Sequence, residues 1–397
     1  MKIKLSKESM TLLTIGCLFN AGLTIASTFV NVYLIRLTNN MGLMILQNIA
    51  NYLMIISGFV LCTRITKKGI SMLSLLRIGI TAIISYYALV LLLKENAGNY
   101  LIPLGLCNGI GQGFYYFTFN ILIGKLLKNE EQSKFFSYQS SFGYFFGVLA
   151  PTISGYIIVK FTELTGYYVL FGTAVLVFLL AIIFSIKLKK VQVSESYSLL
   201  PVLKEKGNKP WNLLKFISFT FGAKEVIYYQ IFTVFAYLII SNEATIGNLT
   251  SISSLIGVLS SLLIASKFTS ETQKKYHFMY CIGYAVSLGC LGVFATPFAL
   301  KASFIINGLV FAWCNVIYST HVYQLAKKAA TKYTNSDYII VCEFPLAAGR
   351  ILGLFTFYVL NLFIDSFTLY RILLIAITIL PFIDHYIIKK EVNWHID

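Results

Sequence analysis

Apolar stretches long enough to cross a membrane recur along this sequence from one end to the other. A helix of about 20 apolar residues spans the hydrocarbon core of a bilayer. Hydrophobic residues make up 57% of the 397 residues and charged residues 12%, about half the charged share of a soluble domain. Because a spanning segment must satisfy its backbone hydrogen bonds internally, these stretches are restricted to helices. The sequence therefore predicts an all-α polytopic membrane protein.

The spacing of the apolar stretches predicts twelve transmembrane helices. Their approximate ranges are 10–35, 43–62, 70–93, 100–123, 137–159, 166–187, 212–239, 249–266, 276–296, 302–324, 343–363 and 368–388. The first stretch continues from Met10 to Leu37, which is longer than the core of a signal peptide, so we expect it to be a retained span. Little chain is left for a soluble domain.

The distribution of positive charge predicts the topology. Most Lys and Arg residues fall on alternate loops, within 2–7, 64–68, 125–134, 187–215, 267–275, 327–332 and 389–390. By the positive-inside rule these loops are cytoplasmic, so we expect both termini in the cytoplasm and the protein in the cell membrane. The formal net charge of +16 is then a topology signal, and we expect no nucleic-acid partner. The seven cysteines form no CxxC pair and predict neither a disulfide framework nor a metal site.

The chain divides into two similar halves. A segment beginning NGIG at Asn108 has a counterpart beginning NGLV at Asn307, in the fourth span of each half, and FNAG at Phe19 corresponds to FGAK at Phe221 in the first spans. We predict two pseudo-symmetric six-helix bundles, 1–188 and 211–397, joined by a cytoplasmic linker at 189–210. A short amphipathic helix around Tyr197–Leu203 is expected within the linker.

This organisation resembles the major facilitator superfamily (MFS) of transporters. The resemblance rests on the six-plus-six plan, the long central loop, the basic loop RITKKG at 64–69 and the run GYFFGVLAPTISG at 143–155. Cys62 and Thr63 stand where the family's loop has an acidic residue, so the usual charge clamp of that loop is not expected here. The chain also resembles poorly characterised permeases of Gram-positive bacteria. The resemblance implies alternating access, with spans 1, 4, 7 and 10 lining a central cavity.

Polar residues at helical spacing supply candidates for the cavity lining. Side chains spaced by three or four residues share one helix face, and in span 1 such a stripe would be costly against lipid. The expected cavity-lining residues are Asn20, Thr24, Ser27, Asn31, Asn108, Gln112, Tyr115, Asn307, Tyr318 and Tyr229. The alternative is hydrogen bonding between packed helices, at about 0.6 kcal/mol per contact.

Charged residues inside the spans supply candidates for coupling. Lys224 and Glu225 are adjacent in span 7, with Glu225 roughly 20 Å along the helix and so near the midplane. Neighbours in sequence point about 100° apart, so the two cannot form one ion pair on a single face. Arg350 lies in span 11 with Glu343 two turns earlier. We interpret these four residues as a substrate or proton-coupling site, the alternative being structural charge pairs.

Other ionisable residues are interpreted as interfacial. Arg77 is expected to extend toward the basic cytoplasmic surface, as long cationic side chains do. His321 can titrate at physiological pH, but its place near the end of span 10 predicts a solvated ring. Asp384 and His385 are read as interfacial at the end of span 12.

Together these features predict a secondary transporter. No P-loop pattern is present, so we expect a proton gradient as driver, no cofactor, and a monomer that binds a small molecule within the lipid bilayer. Proton-coupled export of a small amphipathic or drug-like molecule or metabolite is the first hypothesis, and proton-coupled uptake of a sugar or organic anion is the second. A membrane sensor with a transporter fold is a non-transport alternative. An enzyme is not expected, because the four histidines do not fall in a catalytic motif with Ser or Asp.

Overall fold

The computed structural model describes residues 5–127, 129–161, 164–188, 199–265 and 272–391. Within these ranges the regular structure is helical and contains no strand. The chain separates into two compact units, Met1–Tyr197 and Ser198–Asp397. Part of the linker expected at 189–210 lies outside the described residues, which resume with a short helix at Leu199.

Six long helices form the first unit. They are α1 (Lys7–Thr38), α2 (Met41–Thr66), α3 (Met72–Leu93), α4 (Leu101–Leu126), α5 (Asn129–Lys160) and α6 (Thr165–Ile186), with a 3-10 segment, Lys94–Tyr100, between α3 and α4. Side chains of Ser6, Asn40 and Ser71 cap the first three helices by accepting backbone N–H groups. The caps of α1 and α2 lie ahead of the expected starts at 10 and 43, whereas α3 begins two residues after its expected start at 70.

Glycines bring the backbones of the first unit close together. Helix α4 packs against both α2 and α3. A Cβ atom at Gly105, Gly109 or Gly113 would overlap the backbone of α2, and one at Gly79 of α3 would overlap α4. Small residues at this spacing are the means by which membrane helices approach closely.

The second unit contains more, shorter helices. They are α7 (Leu199–Leu203), α8 (Lys209–Val226), α9 (Phe232–Ile240), α10 (Glu243–Ala265), α11 (Gln273–Phe294), α12 (Pro297–Ala329), α13 (Asn335–Val341), α14 (Glu343–Leu360), α15 (Ser366–Ala376) and α16 (Leu380–Glu391). A π-helical segment, Ile227–Ile231, joins α8 to α9, and a 3-10 segment, Ile377–Ile379, joins α15 to α16. The spans expected at 212–239 and 368–388 therefore each contain a short helical segment that is not α-helical. Hydrophobicity does not distinguish these helix types.

Each unit stacks a phenylalanine of a paired segment on a tyrosine, and the pairing of NGIG with NGLV sets the two tyrosines one helical turn apart. In the first unit Phe19 of α1 stacks on Tyr115 of α4, with ring centroids 3.3 Å apart and planes 9° from parallel. In the second unit Phe221 of α8 stacks on Tyr318 of α12, at 3.8 Å and 10°. Phe19 and Phe221 are the first residues of the paired FNAG and FGAK segments, so this contact is consistent with an internal repeat.

Ten segments of the described chain are long and apolar enough to cross a membrane. One of them, Met72–Leu126, contains both α3 and α4, whereas the interrupted α8–α9 region is not among the ten. The predicted all-α membrane fold is confirmed. The count of twelve spans stays a prediction.

Candidate functional site

Glu225 and Arg350 form an ion pair inside the second unit. The Nε of Arg350 donates to Oε2 of Glu225 at 2.8 Å, and its second terminal nitrogen donates to the same oxygen. The side chains are 15% exposed for Arg350 and 21% for Glu225, so neither is fully enclosed by the protein. The pair joins α8 to α14, and Glu343 at the start of α14 interacts electrostatically with both members.

Lys224 takes a different partner. Its Nζ donates to Oδ2 of Asp384 on α16 at 2.5 Å, and Thr220 donates to the other oxygen of Asp384 at 2.7 Å. These charged side chains are only 6% and 4% exposed. As the helical geometry predicts, the adjacent residues Lys224 and Glu225 face different helices rather than each other. Asp384 is buried and paired with Lys224, a partner that its interpretation as interfacial did not include.

Local structure around the two charges explains their placement. A Cβ atom at Gly222 would overlap the carbonyl of Leu346, and one at Gly349 would overlap that of Phe219. The α8 and α14 backbones therefore touch within one turn of Glu225 and next to Arg350. The π-helical segment begins two residues after Glu225, and such segments occur frequently at functional sites.

A cavity lies beside the buried pair within the second unit. Lys224, Asp384, His277, His321 and Tyr318 are among its lining residues. Tyr318 also donates a hydrogen bond to Ser218 at 3.3 Å. His321 is 2% exposed, so the expectation of a solvated ring is wrong. The cavity has a volume of about 20 Å³, which is room for a water molecule rather than for a metabolite.

The polar stripe of α1 has mixed surroundings. Ser27 is exposed, whereas Asn20 and Thr24 are half-buried and the Thr24 hydroxyl donates to the carbonyl of Asn20. Asn31 is buried and accepts a hydrogen bond from Asn48 of α2 at 3.1 Å. The stripe therefore contains an accessible centre and a packed end, and its role in a cavity stays a prediction.

The remaining candidates of the fourth spans lie between helices. Tyr115 is 1% exposed, and Asn108 and Gln112 are half-buried. Asn307 is buried and accepts a hydrogen bond from Ser287 of α11 at 2.9 Å. Tyr318 lines the small cavity of the second unit. Whether it, Tyr115, Asn108, Gln112 and Asn307 line the expected central cavity stays a prediction. The side chain of Tyr229 lies outside the described part of the chain.

Two interactions, one in each unit, are absent from the sequence interpretation. His277 of α11 faces His385 of α16, with their Nδ1 atoms 3.3 Å apart. Arg77 donates to the hydroxyl of Ser185 at 3.0 Å and to its carbonyl at 2.8 Å, rather than only extending to the surface. The one usable signal is the helical spacing of His277 and Cys281 within span 9.

Apolar helices in two units define this protein as a multi-pass membrane protein, and its match to the Major Facilitator Superfamily makes it a transporter rather than an enzyme. The sequence profile of the Major Facilitator Superfamily matches residues 60–336. The chain belongs to that superfamily, as its sequence resemblance predicts.

Comparisons with individual proteins agree with this assignment. A Bacillus subtilis (strain 168) protein, "Uncharacterized protein YqgE", is 26% identical over 362 residues, covering 89% of this chain and 83% of that relative. The crystal structure of nucleoside transporter NupG superposes with a TM-score of 0.72 at 14% identity, covering 97% of this chain and 99% of NupG. A D-xylose–proton symporter reaches 0.71 at 14% identity, covering 94% and 96%. At these identities the structures share the fold alone.

Proposed function

We propose that this protein is a proton-coupled secondary transporter of the bacterial cell membrane that works by alternating access and exports a small amphipathic molecule or metabolite. The observation that supports it most is the Glu225–Arg350 pair, which is partly exposed and joins two helices that the sequence predicts to span the membrane. Intramembrane ionisable residues are costly and mark substrate or proton pathways by default.

The chemistry of the pair suits a proton carrier. A carboxylate within the membrane needs either a cation or a proton, so Glu225 has two alternative partners, Arg350 and H⁺. When Glu225 takes a proton, Arg350 is released, and because a guanidinium stays charged it requires another anion. Glu343 is close enough to interact with it. Proton binding can therefore change which groups α8 and α14 hold together.

The buried Lys224–Asp384 pair is a weaker candidate for coupling. Both side chains are almost inaccessible and Asp384 has a second hydrogen bond from Thr220. A proton carrier needs access to water, and the Glu225–Arg350 pair is the more exposed of the two pairs. We therefore assign proton carriage to Glu225 and a positioning role to Lys224.

Arg350 supports a second candidate function, uptake of an organic anion or sugar with protons. Its planar guanidinium can bind a carboxylate through two parallel hydrogen bonds once Glu225 is protonated. The two candidates differ in direction. With an acidic exterior, uptake accumulates the compound inside, whereas export lowers its internal concentration.

Transport assays in liposomes test the proposal. Metabolite profiles of deletion and overexpressing strains first select candidate compounds. Purified protein is then reconstituted with a trapped pH-sensitive dye, and proton flux is recorded as each compound is added. We expect compound-dependent proton flux in the wild type and its loss in Glu225→Gln, because an amide cannot carry the proton. Glu95→Gln, which changes an exposed carboxylate, is the matched control and should behave as wild type.

Two results would count against the proposal. Undiminished proton flux in Glu225→Gln would remove this residue from coupling. Failure of every selected compound to move, in folded and correctly inserted protein, would favour the membrane-sensor alternative.

A further inference from the structure

Histidines converge in one place of the second unit. The whole chain has four. His395 lies outside the described residues, and the other three, His277, His321 and His385, come from α11, α12 and α16. The ring centroids of His277 and His385 are 5.1 Å apart and those of His277 and His321 are 6.2 Å apart.

A cysteine completes a group of potential metal ligands. Cys281 follows His277 by four residues, so both side chains lie on one face of α11. One donor atom each from His277, Cys281 and His385 lies within 4.8 Å of the others. His277 is 3% exposed and Cys281 fully buried, while His385 is half-buried and leaves the group accessible from one side.

The nitrogen spacing matches a tetrahedral ion. Two imidazole nitrogens, each about 2.0–2.1 Å from a tetrahedral Zn²⁺, are about 3.4 Å apart. The Nδ1 atoms of His277 and His385 are 3.3 Å apart. A hydrogen bond between two neutral imidazoles would give a similar distance, so the spacing alone does not decide between them. The nearby thiol adds a third potential ligand of the kind that Zn²⁺ binds, which a simple histidine pair does not require.

The first unit shows what an ordinary contact at this position looks like. Arg77 of α3 binds Ser185 of α6 across 108 positions of sequence, and His277 meets His385 across the same 108 positions. Between corresponding helices the first unit thus has a plain hydrogen bond. The second unit places two imidazoles there, with a thiol one helical turn away.

We propose that His277, Cys281 and His385 bind a thiophilic transition-metal ion of the Zn²⁺ class, which bridges α11 and α16. Nitrogen and thiolate ligands select Zn²⁺, Co²⁺ and Cu⁺ over Mg²⁺ and Ca²⁺. The Cys281 thiol now lies 3.2 Å from the carbonyl of Pro381. On binding, the sulfur–metal bond forms and the thiol proton leaves to solvent. The neighbouring Lys224–Asp384 pair carries no net charge.

Metal binding is measured without any transport assay. A negative binding result would therefore contradict the metal site without contradicting the proposed transport function. The full chain is purified with a tag that contains no histidine, freed of metal by chelating resin and titrated with Co²⁺. We expect one ion per chain, with tetrahedral visible bands and a thiolate-to-cobalt charge-transfer band. Zn²⁺ should displace Co²⁺ and raise the apparent melting temperature.

Variants on one helix provide the matched comparison. Cys281→Ser should lose the charge-transfer band, whereas Cys290→Ser, an exposed cysteine of the same α11, should keep it. His277→Gln and His385→Gln should weaken Co²⁺ binding by roughly 100-fold or more, since even indirect partners of a metal ligand cost 10- to 100-fold. If Cys281→Ser does not fold, the test is made with His385→Gln, because His385 is only half-buried and its replacement is less disruptive. A wild type without stoichiometric binding, or a charge-transfer band that survives in Cys281→Ser, would overturn the proposal.

Discussion

At the scale of single residues, the second unit separates two charges that are adjacent in sequence. Lys224 reaches Asp384 on α16 and Glu225 reaches Arg350 on α14. Each charge is compensated by a side chain more than a hundred positions away, so the pairs depend on how three helices are rotated. Removing one partner of a buried pair leaves the other charge uncompensated, at a cost of about 3–5 kcal/mol.

The Lys224–Asp384 pair predicts a stability effect. Asp384→Ala should lower stability by about 3–5 kcal/mol, because Lys224 stays buried without its carboxylate. The double variant Lys224→Met with Asp384→Ala should recover most of the loss, since no charge is left. Apparent melting temperatures in detergent measure both. A double variant as unstable as Asp384→Ala would show that packing, not charge, is lost.

The sequence shows part of this arrangement. Lys224, Glu225 and Arg350 are visible as charges within apolar spans, and helical geometry predicts that the first two diverge. Asp384 is not recognisable, because its position near a helix end is equally compatible with solvent. The partner of Lys224 is decided by the approach of α16 to α8, a long-range contact that has no local signal.

At the scale of helices, the close crossing of α8 and α14 determines whether Glu225 and Arg350 can meet. Gly222 and Gly349 each face the partner backbone without room for a Cβ atom. The two backbones are closer than they could be with larger side chains at these positions. Glu225 and Arg350 each lie within one turn of the crossing. Small residues in spans are predictable as packing sites. The π-helical segment after Glu225 is not, because apolar composition does not distinguish helix types.

This crossing predicts a position-specific effect of glycine replacement. Gly222→Ala should destabilise the protein by about 1–3 kcal/mol, because the added methyl overlaps the Leu346 carbonyl and must push α14 away. Gly289→Ala is the matched control, since a Cβ atom there meets nothing within 4 Å. Apparent melting temperatures compare the two. Equal effects of both substitutions would mean that helix propensity, rather than the crossing, is being measured.

At the scale of the whole molecule, the two units share a plan but not their charges. Each unit stacks a phenylalanine on a tyrosine, as Phe19–Tyr115 and Phe221–Tyr318, and the contact between residues 77 and 185 has a counterpart between residues 277 and 385. In the paired segments FNAG and FGAK, Gly22 corresponds to Lys224. The repeat was detectable from sequence because it preserves local segments. The second unit differs from the first at single positions such as Lys224. The residues that pair with these side chains are distant in sequence, so only the three-dimensional structure identifies them.

Orientation is the property of the whole molecule that positive charge predicts most directly. Because Lys and Arg concentrate on alternate loops, both termini should lie in the cytoplasm. Fusions truncated within basic loops, at residues 68, 128 and 188, should yield fluorescent protein that folds in the cytoplasm. Fusions at residues 95 and 162, in loops of low positive charge, should instead give active alkaline phosphatase, which requires export.

This alternation also tests the number of spans in the first half. Phosphatase activity at the basic loops would reverse the topology, and a break in the alternation would locate a predicted span that does not cross the membrane.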